Sequence, residues 1–115
     1  MADITLAITH GGARAVVTWE TLTSGNAAGS AYEPDVQRAA VSAVQFTGTF
    51  DSATAILQGS NDGTNWVTLS DLSGSPISLT AAGAKELSTA MAYLRPSTSG
   101  GGGSQDIDCI LVARG

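Results

Sequence analysis

The side chains in this chain that could carry chemistry are few and widely spaced. Nucleophilic catalysis needs a nucleophile, a base and an orienting group within reach of one another. There is a single histidine, His10, beside Gly11 and Gly12, and a single cysteine, Cys109, inside an apolar run. No nucleophile-elbow motif accompanies either. His10 therefore reads as an exposed loop residue and Cys109 as a small hydrophobe. A zinc site needs several Cys or His ligands, and one of each does not supply it. Asp106 and Asp108 stand two apart, so on a strand both carboxylates share a face. Such a pair could flank a sugar or hold a cation, but more often it keeps the outer face of an edge strand wet and guarded. The oxygens of Asn61-Asp62-Gly63-Thr64-Asn65 could ligate calcium, yet only Asp62 is charged. Turn chemistry accounts for the whole stretch, since Asp-Gly supplies the positive φ of a tight hairpin. The run Gly100-Gly101-Gly102-Gly103 is followed by no Lys-Ser/Thr and opens no helix, so it is no phosphate loop. Trp19 and Trp66 could form a sugar-stacking platform, but their strand setting favours packing in the core. The sequence thus predicts no catalytic, metal-ligating or cofactor-binding residue, and a protein that is not an enzyme.

Composition narrows the function further. The 115 residues make a one-domain length, read as a single domain over residues 1–115. Charged residues are 13% of the chain, about half the usual share of roughly 25%. Either the surface is hydroxyl-rich, as suits exposed strands, or much of it faces other protein, where charge would be desolvated. The net charge is −5, and the five basic residues Arg14, Arg38, Lys85, Arg95 and Arg114 are scattered. Phosphate binding needs such residues clustered, so nucleic acid is not expected as a partner. No window approaches the ~18 apolar residues that span a membrane, and the N-terminus lacks the basic and apolar regions of a secretory signal. Synthesis in the cytoplasm without a processed leader is the expectation.

The elements that must position these residues are strands. Residues 3–10 alternate, with Ile4, Leu6 and Ile8 on one apolar face. Residues 15–22 follow, then a small-residue loop around residues 24–30. Glu33-Pro34-Asp35 reads as an irregular connection, with a helical turn from Pro34 as the alternative. Residues 41–50 form the strongest strand, Asp51-Ser52 turns the chain, and residues 53–58 return. Residues 66–69 make the next strand, residues 77–79 a short one, and residues 85–88 a segment able to pair. Pro96 restricts residues 91–98 to a sheet edge or a bulge. The glycine run reads as a long hairpin tip leading into a last strand over residues 106–114. Eight or nine short strands spaced by turns predict an all-β fold, an antiparallel β-sandwich of jelly-roll or Ig-like type. Trp19, Phe46, Phe50, Trp66 and Tyr93 would pack between its sheets.

Four stretches occur in order: Val44-Gln45-Phe46-Thr47-Gly48-Thr49-Phe50, Gln58-Gly59-Ser60-Asn61-Asp62-Gly63-Thr64-Asn65-Trp66, Tyr93-Leu94-Arg95-Pro96-Ser97, and a glycine-rich tip before an apolar strand ending in Ala113-Arg114. This order, over about residues 15–114, resembles the small β-sandwich decoration or cement proteins of tailed bacteriophage capsids. The Ser-Asn-Asp-Gly-x-x-Trp hairpin also occurs in other adhesive sandwiches and in phage tail proteins. The resemblance implies a virion structural protein, made in the host cytoplasm, that sits on the capsid exterior. Its partner would be the major capsid protein lattice, with self-association such as a trimer around threefold positions. It further implies that the N-terminal strand could add to a neighbour's sheet edge, and that the glycine tip and the 25–30 loop adapt to an uneven lattice. A tail or neck component of the same fold and a carbohydrate-binding adhesion module are the alternatives.

Overall fold

A computed structural model describes residues 4, 6–11, 14–33, 40–87 and 91–114. The fold is all-β, with nine strands and no helix among these residues. The strands are β1 (Ala7–Gly11), β2 (Arg14–Leu22), β3 (Ala40–Thr49), β4 (Thr54–Ser60), β5 (Val67–Thr68), β6 (Ser78–Leu79), β7 (Gly83–Glu86), β8 (Tyr93–Ser99) and β9 (Asp106–Arg114). They form two antiparallel sheets. Sheet one has the order β1-β2-β9-β3-β7. In sheet two, β4 pairs with β8 on one side and with β5 and β6 in tandem on the other. The predicted sandwich is thus observed, and its alternating burial along β4 and β8 is the pattern that two facing sheets require.

Trp19, Phe46, Val17, Leu57, Leu94 and Ile107 are fully buried between the sheets, and Phe50 is nearly so. Two aromatics expected there are not: Trp66 and Tyr93 are only half-buried. Ile4 and Leu6 pack on the core, but Ile8, expected on the same apolar face, is exposed. The N-terminal segment is not one strand. Ile4 bridges Gly29 in parallel beside sheet two, and the chain then crosses to form β1 in sheet one.

The small-residue segment is not a free loop. Gly29 and Tyr32 donate their N–H groups to the carbonyls of Pro96 and Leu94, and Ala27 accepts from Thr98, so residues 27–32 lie along β8. A Cβ on Gly29 would meet Trp19 Nε1 at 2.6 Å and Pro96 Cδ at 2.8 Å. Only glycine lets the chain pass this close, and Trp19 Nε1 then donates to Ser30 O at 2.8 Å. Among the strands β8 pairs with β4 alone, so Pro96 stands on an edge strand as expected, with residues 27–32 running along its outer side. The N–H groups of Leu94 and Thr98 point toward residues 27–32. The N–H that proline lacks therefore belongs on that irregular side, and the β4–β8 ladder loses nothing. Pro34 and the connection it begins lie outside the described residues.

The glycine run is not a hairpin tip. β8 belongs to sheet two and β9 to sheet one, so residues 100–105 cross between sheets. Residues 50–53 make a second crossover, from β3 to β4, with Asp51 and Ser52 at φ 48° and 70°. The two crossovers lie side by side. Gly102 N donates to Asp51 O at 3.1 Å, and Ser104 N to Asp51 Oδ2 at 2.9 Å. Beneath them the buried Gln105 donates to Leu22 O at 3.1 Å and Thr98 Oγ1 at 2.8 Å. A side chain on Gly101 would collide with Gln105 Oε1, and one on Gly102 would meet Asp51 Oδ2 at 2.5 Å. Gly103 has nothing within 4 Å of such a Cβ. Replacing Gly101 by Ala is therefore expected to destabilise the fold by about 1–3 kcal/mol, as other overpacked sites do. Gly103→Ala should change stability by no more than about 0.5 kcal/mol. Denaturant melts of the two variants check the contrast; equal effects would contradict it.

Candidate functional site

The hairpin between β4 and β5 is a six-residue loop, residues 61–66, not the tight turn its Asp-Gly suggested. The Asp62 side chain explains the difference. Asp62 Oδ1 accepts from the backbone N–H groups of Thr64 and Asn65, both at 2.8 Å, and from Ser60 Oγ at 2.8 Å. Asp62 Oδ2 accepts from Asn65 Nδ2 at 2.7 Å. Ser60 Oγ in turn accepts from the N–H groups of Asp62 and Gly63. Asn61 Oδ1 ties the loop to the residue before β8 by accepting from Ala92 N. Gly63 takes the positive φ of 77° that the sequence requires of it. The N–H groups of Asn65 and Thr64, with the Asn65 and Ser60 side chains, hold the Asp62 carboxyl far below the usual carboxylate range. Its oxygens already serve the loop, so this stretch is a structural turn and not a calcium cradle.

The loop delivers Trp66 onto the outer face of sheet two. The Arg95 guanidinium stacks over the indole at 4.2 Å from its centroid, and Arg95 Nε donates to Gln58 Oε1 at 2.9 Å across the β4–β8 ladder. Tyr93 stands two residues along on the same face, beside Gly63. Thr54, Ile56 and Ser97 extend this half-buried face, on which Arg95 is the one charged side chain among these positions. Among the described residues Arg95 has no carboxylate partner, although ten residues of the chain are acidic. Trp19 lies in the core, so the two tryptophans do not form a common platform. The ring face of Trp66 beneath Arg95 is already taken, which leaves it unavailable for stacking a sugar.

The remaining candidates have structural employment. Asp108 Oδ1 accepts from Thr21 N at 2.9 Å, at a bulge in β2 where Thr21 has φ 63°. Asp106 is exposed on the same strand. Asp71 accepts from the N–H and hydroxyl of Ser73 and from Ser75 N, and its other oxygen lies 3.5 Å from Lys85 Nζ. The Ser73 hydroxyl is the main reason its carboxyl ionises more readily than usual. These two residues line a shallow, open hollow with Ala43, Leu72, Ala84 and Glu86. Cys109 is buried, and desolvation pushes its thiol far above the usual range, which makes it unreactive. His10 stands in β1 opposite Ala15, at a strand position rather than in a loop. Among the described residues no three His, Cys, Asp or Glu side chains gather where they could hold a metal ion.

In the sequence Arg95 is one of five scattered cations and part of the Tyr93-Leu94-Arg95-Pro96-Ser97 stretch, with no sign of its partners. Its alternation with Leu94 and Pro96 places it on the outer face, but its pairing with Gln58 depends on a register between distant strands. Comparison with protein-family models, with curated proteins and with solved structures finds no match to this chain.

The Asp62 turn has a pH signature. Its folded-state carboxyl titrates below its unfolded value, near 3.9, so the stabilisation is present above that value and fades as pH falls toward the folded one. Asp62→Asn should lower the melting temperature at neutral pH. The gap between variant and parent should narrow steadily as pH drops below about 4. A gap that is independent of pH in thermal melts would contradict this role.

Proposed function

We propose that this chain is a structural protein of a tailed-phage virion, a decoration or cement protein that docks on the outside of the assembled major capsid protein lattice and stabilises it. The observation that supports this reading best is the outer face of sheet two. It combines Trp66, Tyr93 and Arg95, the residue types that dominate protein contacts, with Thr54, Ile56, Gln58 and Ser97 and almost no charge. Such a face sheds little hydration on docking. The four stretches that resemble decoration proteins include the segments that build it, namely residues 58–66 and 93–97.

The mechanism is linkage. A protein that binds the assembled shell and not its free subunits shifts the equilibrium toward the shell. Many copies multiply a modest gain at each position over the particle. No bond is made or broken, so the role calls on none of the reactive groups whose bonding was traced above. The glycine crossover and residues 25–30 are held by their own contacts, so adaptation to the lattice would fall to the side chains of the docking face.

Purified protein mixed with empty expanded shells of the phage that encodes it should bind at a fixed number of copies per shell and leave unassembled capsid subunits unbound. It should also raise the temperature at which the shells come apart. Arg95→Ser should weaken the binding while the domain still melts cooperatively. Binding to isolated tails instead would assign the chain to the tail or neck, and binding to neither would contradict a virion role.

A further inference from the structure

Arg95 stands between Tyr93 and Ser97 on the outward-facing side of β8. Its guanidinium is held from two directions. The Trp66 indole lies beneath it at 4.2 Å, and Gln58, directly opposite on β4, accepts from Arg95 Nε at 2.9 Å. These contacts fix the position of the group without neutralising it. A carboxamide is uncharged, and an aromatic ring offers a cation only its quadrupole.

The acids of the chain do not supply the missing charge. Asp62, on the loop that carries Trp66, has both oxygens engaged by the N–H groups of Thr64 and Asn65, the Ser60 hydroxyl and the Asn65 amide. Asp51 and Asp108 hold backbone N–H groups elsewhere, and Asp71 does the same beside Lys85. Among the described residues Arg95 is ion-paired with no carboxylate, in a chain of net charge −5. The donors left over have a definite shape. Nε–H is engaged by Gln58, which leaves the N–H groups of Nη1 and Nη2 without an acceptor among the described residues. Side by side in the guanidinium plane, these two nitrogens present parallel N–H bonds, the geometry that the two oxygens of a carboxylate match.

We propose that Arg95 is the recognition point of the docking face, and that the partner surface meets it with one side-chain carboxylate, Asp or Glu, bonded to Nη1 and Nη2. This rests on the docking role proposed above and adds the chemistry of the partner. Docking strips water from a guanidinium that has no counter-charge of its own, and a buried unpaired charge is strongly unfavourable. A neutral partner patch would leave that charge stranded, and a basic one would add repulsion. A carboxylate bonded through both oxygens offsets the lost hydration, and the same requirement rejects surfaces that lack one. The uncharged residues around Arg95 ask only for a close fit.

The test compares the parent, Arg95→Gln and Arg95→Lys on two kinds of empty expanded shell. One kind is untreated; in the other, surface carboxylates are converted to neutral amides with a carbodiimide and ethanolamine, and the shells are checked for integrity by microscopy. On untreated shells the parent should bind at least about thirtyfold more tightly than Arg95→Gln. Arg95→Lys should fall between them, since an ammonium keeps the charge and loses the fork. Treated shells should hold the parent only as weakly as Arg95→Gln, and Arg95→Gln should bind both kinds alike. Both variants should melt cooperatively, as the parent does. A parent that binds no untreated shell defeats the docking role and this inference with it. If the parent binds untreated shells but either variant binds them equally well, the docking role stands and the partner carboxylate is overturned. The same holds if amidation leaves the parent unaffected or weakens the parent and Arg95→Gln by the same factor.

Discussion

The constraint on which this sandwich depends is the stacking of two of its crossovers, the one from β3 to β4 and the one from β8 to β9. The chain passes between the sheets at residues 50–53 and again at residues 100–105, at the same end of the molecule. Thr49 pairs with Asp106 in sheet one, and Thr54 pairs with Ser99 in sheet two. The crossovers must therefore lie against each other, and backbone must approach side chain more closely than a Cβ allows. Asp51 supplies the polar contact, Gly101 and Gly102 supply the space, and Gln105 ties the corner to Leu22 and Thr98. Thr98 passes the restraint on to Ala27, so the same corner anchors the segment that covers β8 and Trp19. A composition usually associated with loose linkers is here a condition for bringing two sheets together.

The same economy governs the polar residues. Asp51, Asp62, Asp71 and Asp108 each accept backbone N–H groups that would otherwise lack partners at a turn, a crossover or a bulge. Carboxylates engaged in this way hold backbone geometry. The side chains on the outer face of sheet two are an arginine, two aromatics, an isoleucine and small hydroxyl or amide groups, which suit contact with another protein surface. The link from sequence to function therefore runs through what the turns consume as much as through what the faces display.

Period-two alternation made the strands legible. Residues 41–50 and 106–114 were read almost to their ends, and the total of eight or nine strands matches the fold. Alternation gives the face of a side chain but not the partner of a strand, so the glycine run and Asp51-Ser52 read as hairpins although each crosses between sheets. Residues 27–32 carry no apolar period, because their pairing rests on backbone contact with β8 and on the absence of side chains over Trp19. The strand setting of Trp66 favours the core, and the local pattern does not show that the turn before it is long. The Asp62 bonding network lengthens that turn and carries the indole to the outside, under Arg95. Ile8 keeps the predicted face but lacks the cover, since the reach of the opposing sheet is not written in the local pattern.

The most direct test of this account is the backbone mobility of the glycine crossover, measured by 15N relaxation across residues 100–105. If the corner is held by Asp51 and Gln105, its order parameters should match those of the flanking strands, near 0.85. Values below about 0.6 with strands at normal rigidity would mark a flexible linker and contradict the account.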